Sequence, residues 1–234
     1  MGNLAVLREI VLDTETTGLD PAQGHRIVEI GAVELINHMP SGKTYHVYLD
    51  PERDMPKEAE AVHGLKSAFL KGKPLFKNQA QELLDFVDDA TLVIHNANFD
   101  MSFINAELGY CNILAIPIDR VIDTLGLARR THPMGPNNLD ALCKRYGVDN
   151  SKRTKHGALL DAELLADVYL EMIGGKQTSF GLTEINVTAN ASASQTSFRV
   201  TARSVPLPMR LTEAELAAHD KAISSLGNSV LWKN

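Results

Sequence analysis

Short runs rich in apolar residues predict β-strands in the first fifty residues. A short apolar run covers residues 10–12 and is soon followed by Thr-Thr-Gly, which is typical of a buried central strand. Residues 26–36 and 43–49 form two more strand-like runs, and residues 37–42 separate them. Because two such runs joined by a short polar segment favour a hairpin, we expect these two strands to pair antiparallel.

The apolar pattern changes to a helical period from residue 78 onwards. Apolar side chains then recur every three to four residues, which predicts helices over residues 78–88, 99–108, 137–146 and 157–173. A short apolar run at residues 91–95 interrupts this series and predicts a further strand. A hairpin followed by alternating strand and helix predicts an α/β fold, in which helices flank a mixed β-sheet.

The composition changes sharply near residue 175. Between residues 177 and 204, 19 of the 28 residues are Ala, Ser, Thr, Asn, Gln or Gly, and the helical period is lost. We therefore predict a globular domain over residues 1–175, a flexible linker over residues 176–208 and a short tail over residues 209–234.

The predicted tail regains a helical pattern. Thr212 and Glu215 have the spacing of a capping box, in which each side chain bonds the backbone of the other residue at the start of a helix. Leu216 and Ile223 fall on one face of the helix that would follow. The sequence therefore predicts one short amphipathic helix in the tail.

Composition and charge limit the classes of protein to consider. Of the 234 residues, 44% are hydrophobic and 22% are charged, which excludes wholesale disorder. Residues 1–174 hold 17 Lys and Arg against 25 Asp and Glu, a net charge of −8. A free-standing, tight nucleic-acid binder usually has a basic face. We therefore expect that the acidic domain binds another kind of ligand, or that it binds nucleic acid through metal ions and is held near it by a partner.

The cysteine content and the apolar runs indicate a compartment. Two cysteines, Cys111 and Cys143, are too few for a disulfide framework, so a reducing environment is expected. No apolar run approaches the ~18 residues of a membrane span, and Arg8 and Glu9 interrupt the start of the chain. The sequence therefore predicts a cytoplasmic protein that does not enter a membrane.

Two acids at the end of the first strand are the first candidates for chemistry. Asp13 and Glu15 stand two residues apart, so the strand period places both carboxylates on one face. Two adjacent anions repel each other, and a hard cation such as Mg²⁺ or Mn²⁺ would relieve that repulsion. An Asp-Thr-Glu sequence taken alone more often forms a solvated turn, with the Asp as a cap.

Two further acids make a metal site the better explanation. Asp100 and Asp161 each lie in a predicted helix on the same face as apolar residues, and a buried carboxylate is costly unless it is paired or metal-bound. An ion pair with Lys152, Arg153 or Lys155 is the alternative for Asp161. His156 lies five residues before Asp161, where a neutral imidazole could take a proton from water. Four acids and one histidine suggest two metal ions that clamp a phosphodiester.

The same residues match the motifs of a known enzyme family. Asp13-Thr14-Glu15, the segment 96–100 that ends in Asp100, and His156 with Asp161 resemble the three motifs of the DEDD exonuclease superfamily, which has an RNase H-like fold. The spacing of His156 and Asp161 is similar to that of its histidine branch. More closely, the chain resembles the family of proofreading epsilon subunits of bacterial DNA polymerase III, through residues 10–18, 30–34, 46–49, 62–64, 139–143 and 149–161.

The resemblance implies hydrolysis of DNA from its 3′ end with two divalent metal ions, Mg²⁺ or Mn²⁺. It implies that Asp13, Glu15 and Asp161 hold the metal that bears the attacking water. Asp13 would bridge to the second metal, and Asp100 would hold that metal largely through water. His156 would be the general base.

The resemblance also implies contacts with the terminal nucleotide. Glu58 and His63 occupy family positions that contact this nucleotide, and Thr16 would touch it through its backbone. The alternatives for the first two are a loop acid and a histidine at the entry to a helix.

Partner-binding residues are implied beyond the globular domain. Gln177, Phe180 and Leu182 stand where the family has a peptide that binds the sliding clamp, although Phe180 and Leu182 reverse the usual aliphatic-then-aromatic order. In the tail, Leu216, Ile223 and Trp232 resemble the segment that docks on the polymerase subunit, and an aromatic anchor suits an interface. The alternative is a helix folded back on the catalytic domain. A small accessory subunit on the catalytic domain also stays open.

Three functions are therefore compared. The first is a proofreading 3′→5′ DNA exonuclease of a replicative polymerase. The second is an RNA-trimming 3′→5′ exoribonuclease of the same superfamily, which would normally lack the linker and tail. The third is a catalytically inert adaptor, which would not need four acids and His156.

Overall fold

A computed structural model of the chain describes residues 6–174 and 212–225. The chain divides into two compact units, residues 1–181 and residues 182–234. Within the described part of the chain, no helix combines the length and the apolar character that crossing a bilayer requires. The predicted linker lies outside the described residues, so the predicted domain boundaries stay predictions.

The first unit contains one mixed sheet and seven α-helices among its described residues. The strands are β1 (Arg8–Thr16), β2 (Ile27–Ile36), β3 (Met39–Tyr48), β4 (Thr91–Ile94) and β5 (Val121–Asp123). The helices are α1 (Lys57–His63), α2 (Ser67–Leu70), α3 (Phe76–Val87), α4 (Ala97–Tyr110), α5 (Thr124–Thr131), α6 (Leu139–Tyr146) and α7 (Ala158–Met172). Single 3₁₀ turns lie at Pro21–Gln23 and Ile118–Arg120.

The sheet has the mixed topology that the sequence predicts. Its order is β3-β2-β1-β4-β5; β1, β2 and β3 pair antiparallel, whereas β1, β4 and β5 pair parallel. The carboxyl ends of β1, β4 and β5 therefore lie at one edge, which is where open α/β sheets place their ligands. The predicted α/β fold is confirmed.

Helices cover both faces of the sheet, so β1 is buried on both sides. Ile10 and Leu12 pack in a core with α3 and α4, while Val11 packs in a second core with α6 and α7. All three side chains are fully buried. Continuous apolar burial of this kind is what the run at residues 10–12 indicates.

The turn of the hairpin is shorter than predicted. Only Asn37 and His38 connect β2 to β3, with positive φ angles of 51° and 61° that match a two-residue hairpin turn. The prediction of a loop over residues 37–42 was therefore wrong. β3 is an exposed edge strand, where residues such as Pro40 and Gly42 are tolerated.

The backbone of α7 approaches the sheet closely at Gly31. A Cβ atom at this position would lie 2.1 Å from the backbone nitrogen of Leu159, so no larger residue fits. This contact brings the first turn of α7 against β2. Asp161 lies in that turn and is therefore placed beside the end of β1, the neighbour of β2.

The described part of the second unit is the helix α8 (Glu213–Ser225). Thr212 and Glu215 form the predicted capping box: the Thr212 amide donates to Glu215 Oε2 at 2.8 Å, and the Glu215 amide donates to Thr212 Oγ1 at 3.3 Å. Leu216 and Ile223 are partly buried and share one face, while the rest of the helix is exposed. The predicted helix is confirmed.

Candidate active site

A cavity of about 610 Å³ lies at the sheet edge formed by the carboxyl ends of β1 and β4. Seven of the eight predicted catalytic and substrate-binding residues line it, namely Asp13, Glu15, Thr16, Glu58, His63, Asp100 and His156. The eighth, Asp161, stands next to this lining, with Oδ2 at 3.2 Å from Nδ1 of His156. The structure therefore brings together residues from four separate segments of the sequence.

The two acids of β1 share the sheet face on which α7 packs. Asp13 and Glu15 alternate with Thr14, and they continue the row of Val11, which contacts the α7 core. Glu15 is buried and Asp13 is partly buried. The strand period thus directs both carboxylates towards Asp161, as the sequence predicts.

Asp100 reaches the site from the opposite sheet face. It lies in the first turn of α4, which begins after Asn96 adopts a left-handed conformation with φ 63°. The carboxylate is 3% exposed and is held by Thr14, whose amide and hydroxyl both donate to Oδ1, at 3.1 and 2.7 Å. Thr14 therefore orients Asp100, a role that the sequence analysis did not assign.

Asp161 is paired with an arginine. Arg153 donates from Nε to Oδ1 at 2.6 Å and from Nη2 to Oδ2 at 2.7 Å, a two-point contact that suits the planar guanidinium. The ion pair considered as an alternative for Asp161 is thus present, and Arg153 is the partner. Asp161 also lies within the group of potential metal ligands described next, so the ion pair and the metal site involve the same carboxylate.

Three ligand atoms lie close enough to share one cation. One atom each from Glu15, His156 and Asp161 falls within 4.8 Å of the others. Carboxylate oxygens suit hard cations, and an imidazole nitrogen is also a common metal ligand. The chemistry of this donor set fits a divalent metal ion.

Burial and mutual repulsion raise the pKa of the carboxyl groups. Burial, followed by the charges of Asp100, Glu15 and Asp161, holds the pKa of Asp13 well above its ordinary value. Burial, together with Asp161, Glu29 and Asp100, raises the pKa of Glu15 to about 8, while Arg153 acts in the opposite direction. The pKa of Asp100 rises to about 7 through burial, against the hydrogen bonds from Thr14. The site therefore favours added positive charge, either protons or metal ions.

The raised pKa values predict how stability depends on pH without metal. Glu15 and Asp100 keep their protons when folded up to about pH 8 and about pH 7, but lose them above their ordinary values of 4.5 and 3.8 when unfolded. Because the folded state then binds more protons, the free energy of unfolding should fall as pH rises from about 5 to 8. Thermal melts in chelator measure this trend.

Two comparisons isolate the contribution of the site to that trend. Glu15→Gln removes one of the raised carboxyl groups and should flatten the decline of melting temperature with pH. Saturating Mn²⁺ should raise the melting temperature most at high pH, because it binds the ionised carboxylates of the native state. A melting temperature with the same pH dependence in the parent and in Glu15→Gln would contradict the prediction.

The predicted nucleotide-binding residues lie on the other wall of the cavity. Glu58 and His63 both belong to α1, so neither the loop position nor the helix-entry position considered for them is correct. His63 Nδ1 accepts from the amide of Leu65 at 3.0 Å, which places the neutral ring's proton on Nε2. Nε2 is buried and makes no hydrogen bond of standard geometry to a described residue, although the backbone of Thr16 is near enough to oppose the lowering of the ring's pKa by burial. Its N–H can therefore turn to a ligand.

Thr16 and two apolar residues complete the rim. The Thr16 hydroxyl donates to the carbonyl of Gly18 at 2.6 Å, so its proton is already engaged. The contact of a nucleotide with the Thr16 backbone stays a prediction. Leu19 and Val62 line the cavity although they are 84% and 48% exposed. The sequence predicted no role for these two residues, because single apolar residues outside a periodic segment carry no pattern.

The predicted partner-binding residues are only partly described. Leu216 and Ile223 lie on one face of α8, as stated above. Gln177, Phe180, Leu182 and Trp232 lie outside the described residues, so their roles stay predictions.

Solved structures with similar folds include several nucleases. A structure described as Exonuclease X in complex with 5′ overhanging duplex DNA aligns with a TM-score of 0.56 and 25% identity, over 72% of this chain and 92% of that chain. The nuclease domain of 3′hExo, described as a DEDDh family member bound to rAMP, aligns with a TM-score of 0.63 over 74% of this chain and 95% of that chain. Its 17% identity supports the fold alone.

Relatives with much higher identity extend over almost the whole chain. The DNA polymerase III subunit epsilon of Rickettsia felis is 47% identical over 226 residues, which cover 95% of this chain and 98% of the relative. The corresponding subunit of Escherichia coli is 44% identical over 241 residues, which cover 98% of each chain. The family model RNase_T, described as Exonuclease, matches residues 10–169, the stretch that holds all four acids and His156. On these matches, the chain belongs to the exonuclease family and, within it, to the epsilon subunits of DNA polymerase III.

Proposed function

We propose that the protein is the 3′→5′ exonuclease that proofreads for a DNA polymerase III replicase. The observation that carries this proposal is the convergence of Asp13, Glu15, Asp100 and Asp161 with His156 beside one open cavity. An inert adaptor would gain nothing from buried acids that repel each other. A replicase subunit would act in the cytoplasm, where the bacterial chromosome is copied.

The site fits divalent metal ions, since its donors are hard oxygen ligands whose mutual repulsion raises their pKa values. Asp13, Glu15 and Asp161 would hold one ion, and Asp13 and Asp100 would hold a second. Two bound Mg²⁺ or Mn²⁺ ions would supply Lewis-acid activation of water and of the phosphodiester.

Proton transfer during cleavage of the phosphodiester would involve a side chain of the protein. His156 would take a proton from the water that attacks the terminal phosphorus. The bond from phosphorus to the 3′ oxygen of the preceding nucleotide would then break, which releases a nucleoside 5′-monophosphate. The 3′ oxygen would take up a proton from solvent.

The cavity wall opposite the acids would bind the terminal nucleotide. The buried Nε2–H of His63 is available to donate to a sugar or phosphate oxygen, and Glu58 could accept from a sugar hydroxyl. The exposed apolar side chains of Leu19 and Val62 offer a surface on which a base could pack. Thr16 would contribute its backbone.

One assay tests this function against the RNA-trimming alternative. Purified protein is incubated with a DNA primer whose 3′ end is mispaired, with a fully paired primer and with an RNA strand of the same sequence. We expect Mg²⁺-dependent release of the mispaired nucleotide at a higher rate than release from the paired primer or from RNA. Activity in chelator, or faster cleavage of RNA than of DNA, would contradict the proposal.

The remaining regions are assigned to partners. We propose that residues 176–208 tether the catalytic domain, residues 1–175, to a tail over 209–234 that docks on the polymerase subunit. A coil of about 30 residues spans roughly 30 Å and can hold a domain at an effective concentration in the millimolar range. Such a tether would offset the weak grip on DNA expected from the acidic catalytic domain. A small accessory subunit could bind that domain as well.

Truncation after residue 175 should separate catalysis from docking. We expect the truncated chain to hydrolyse single-stranded 3′ ends nearly as fast as the full chain, because its active site is intact. It should lose stable association with the polymerase subunit, as measured by size-exclusion chromatography. Co-elution of the truncated chain with the polymerase would contradict the docking role of the tail.

Two sets of substitutions in the full chain provide matched controls. Trp232→Ala should reproduce much of the lost polymerase binding, since a buried aromatic anchor commonly contributes ~2 kcal/mol or more to an interface. Replacing Gln177, Phe180 and Leu182 together with alanine should instead weaken binding to the sliding clamp and leave polymerase binding in place. If Trp232→Ala and the triple substitution weakened binding to the same partner equally, the assignment of separate polymerase-binding and clamp-binding segments would be wrong.

A further inference from the structure

Arg153 contacts two of the residues proposed for catalysis at once. Its side chain is 7% exposed and joins both oxygens of Asp161, as described above. The same Nη2 that donates to Asp161 lies 2.7 Å from Nδ1 of His156. A third contact runs from Nη1 to Oδ2 of Asp140, at 2.8 Å. One guanidinium thus links the metal-site acid, the proposed general base and a residue of α6.

The contact with His156 occupies the lone pair that a general base needs. A guanidinium has hydrogen-bond donors and no acceptor, and its Nη2 lies 2.7 Å from Nδ1 and 3.5 Å from Nε2 of His156. Whichever nitrogen of the neutral ring carries the lone pair therefore faces this donor. In this arrangement His156 cannot take a proton from water.

The contact with Asp161 places a positive charge where a metal ion would bind. Both carboxylate oxygens accept from Arg153, although each keeps a second lone pair. A divalent ion held by Asp13, Glu15 and Asp161 would therefore stand close to the guanidinium. Two neighbouring cations repel each other, so the contact between Arg153 and Asp161 opposes metal binding.

Asp140 offers Arg153 a partner outside the site. Its side chain is 56% exposed on α6, and Asn150 donates to its Oδ1 at 2.9 Å. If Arg153 leaves Asp161 and His156, the bond to Asp140 can keep the guanidinium paired close by. Arg153 therefore has two partners inside the site, Asp161 and His156, and one partner outside it, Asp140.

We propose that Arg153 is a positioning residue that fills the cationic site before metal enters and releases Asp161 and His156 when metal binds. The inference rests on the proposed function, since it assumes that these residues are a metal ligand and the general base. It adds that metal entry also frees the base, so that an incomplete site stays inactive. Arg153 would act through the two residues and would not itself touch the reacting atoms.

Metal titration without DNA tests the inference. Isothermal titration calorimetry of Mn²⁺ into the full chain at pH 8 should show tighter binding to Arg153→Gln than to the parent. The expected change is on the order of tenfold, equivalent to about 1.4 kcal/mol. Lys152→Gln is the matched control, because it removes the same charge from the neighbouring, exposed position and should change affinity less than about twofold. Unchanged or weaker Mn²⁺ binding by Arg153→Gln would overturn the inference.

Asp140→Asn should change the affinity for Mn²⁺ in the opposite direction to Arg153→Gln. Asp140 is exposed, so this substitution should not affect folding. Without Asp140, Arg153 has a weaker alternative partner, so Mn²⁺ binding should weaken by roughly threefold. This variant keeps the test decisive even where Arg153→Gln does not fold. Binding by Asp140→Asn that equalled or exceeded that of the parent would contradict the inference.

The tautomer of His156 is a spectroscopic readout that a purely structural ion pair would not change. Nitrogen NMR of the metal-free protein at pH 8 reports which ring nitrogen of His156 carries the proton and how strongly the other is hydrogen-bonded. Saturating Mg²⁺ should change this spectrum, and Arg153→Gln should change it without metal. An identical His156 spectrum in all three samples would rule out release by metal. If the parent bound no Mn²⁺ at all, the proposed function itself would fail. If the parent bound Mn²⁺ but Arg153→Gln bound it no more tightly, only the inference about Arg153 would fail.

Discussion

Replacing Asp13 with asparagine should reduce the nuclease rate by on the order of 10³-fold or more. Asp13 is the residue proposed to touch both metal ions, and each ion is worth several kcal/mol of transition-state stabilisation, where 1.36 kcal/mol corresponds to a factor of ten. Asparagine has nearly the same shape but no negative charge. The measurement is single-turnover release of the 3′ nucleotide from a mispaired primer in Mg²⁺.

Stability provides the control that separates lost chemistry from lost folding. The pKa of Asp13 is raised by burial and by the neighbouring acids, so removing this charge relieves repulsion in the metal-free protein. The melting temperature of Asp13→Asn in chelator should therefore equal or exceed that of the parent. Asp89→Asn, at an exposed position near the end of α3, is the matched substitution and should retain full activity. Substantial activity in Asp13→Asn would contradict the two-metal proposal.

Replacing His156 with alanine should lower the rate by ~10² to 10⁴-fold, the usual contribution of a general base. His156 is 47% exposed and lies at the mouth of the cavity, so its loss should leave the fold unchanged. The variant should still bind the primer end. We propose to measure its rate from about pH 6 to pH 9 under saturating Mg²⁺.

Metal affinity distinguishes a general base from a metal ligand at this position. The ligand atoms of His156, Glu15 and Asp161 are close enough to share a cation. If His156 is the base, His156→Ala should bind Mn²⁺ about as tightly as the parent, whereas loss of a ligand would weaken binding. His219→Ala, in the exposed face of α8, is the matched control and should change neither property. A full rate in His156→Ala across the pH range would mean that another group activates the water.

Periodic patterns predicted the elements that carry the site. The strand at residues 10–12, the antiparallel pair after it and the helices that hold Asp100 and Asp161 all appear, with ends that differ by at most four residues. These predictions succeeded because burial on a sheet or helix face imposes a regular period on the sequence. The same period correctly placed Asp13 and Glu15 on one face.

Elements without a period were missed. Strand β5 has only three half-buried residues, and α1 and α2 are short, so none of them holds enough positions to show a pattern. Helix α5, which has eight residues, was missed as well. The short turn at Asn37 and His38 was predicted too long, because proline and glycine in an edge strand resemble turn residues. Local composition alone does not distinguish an edge strand from a loop.

The residue pattern alone predicted which acids come together, since inward-facing acids on apolar elements are costly unless they are paired or metal-bound, and it placed His156 five residues before Asp161. How these side chains are held could be found only from the folded chain. Thr14 orients Asp100 from 86 residues away, and Arg153, one of three basic candidates in its loop, reaches Asp161, His156 and Asp140 together. Such contacts depend on the approach of separate segments, which is set by close packing such as that of α7 on Gly31. A polar side chain in a loop follows no period, so its partner is determined by the fold that surrounds it.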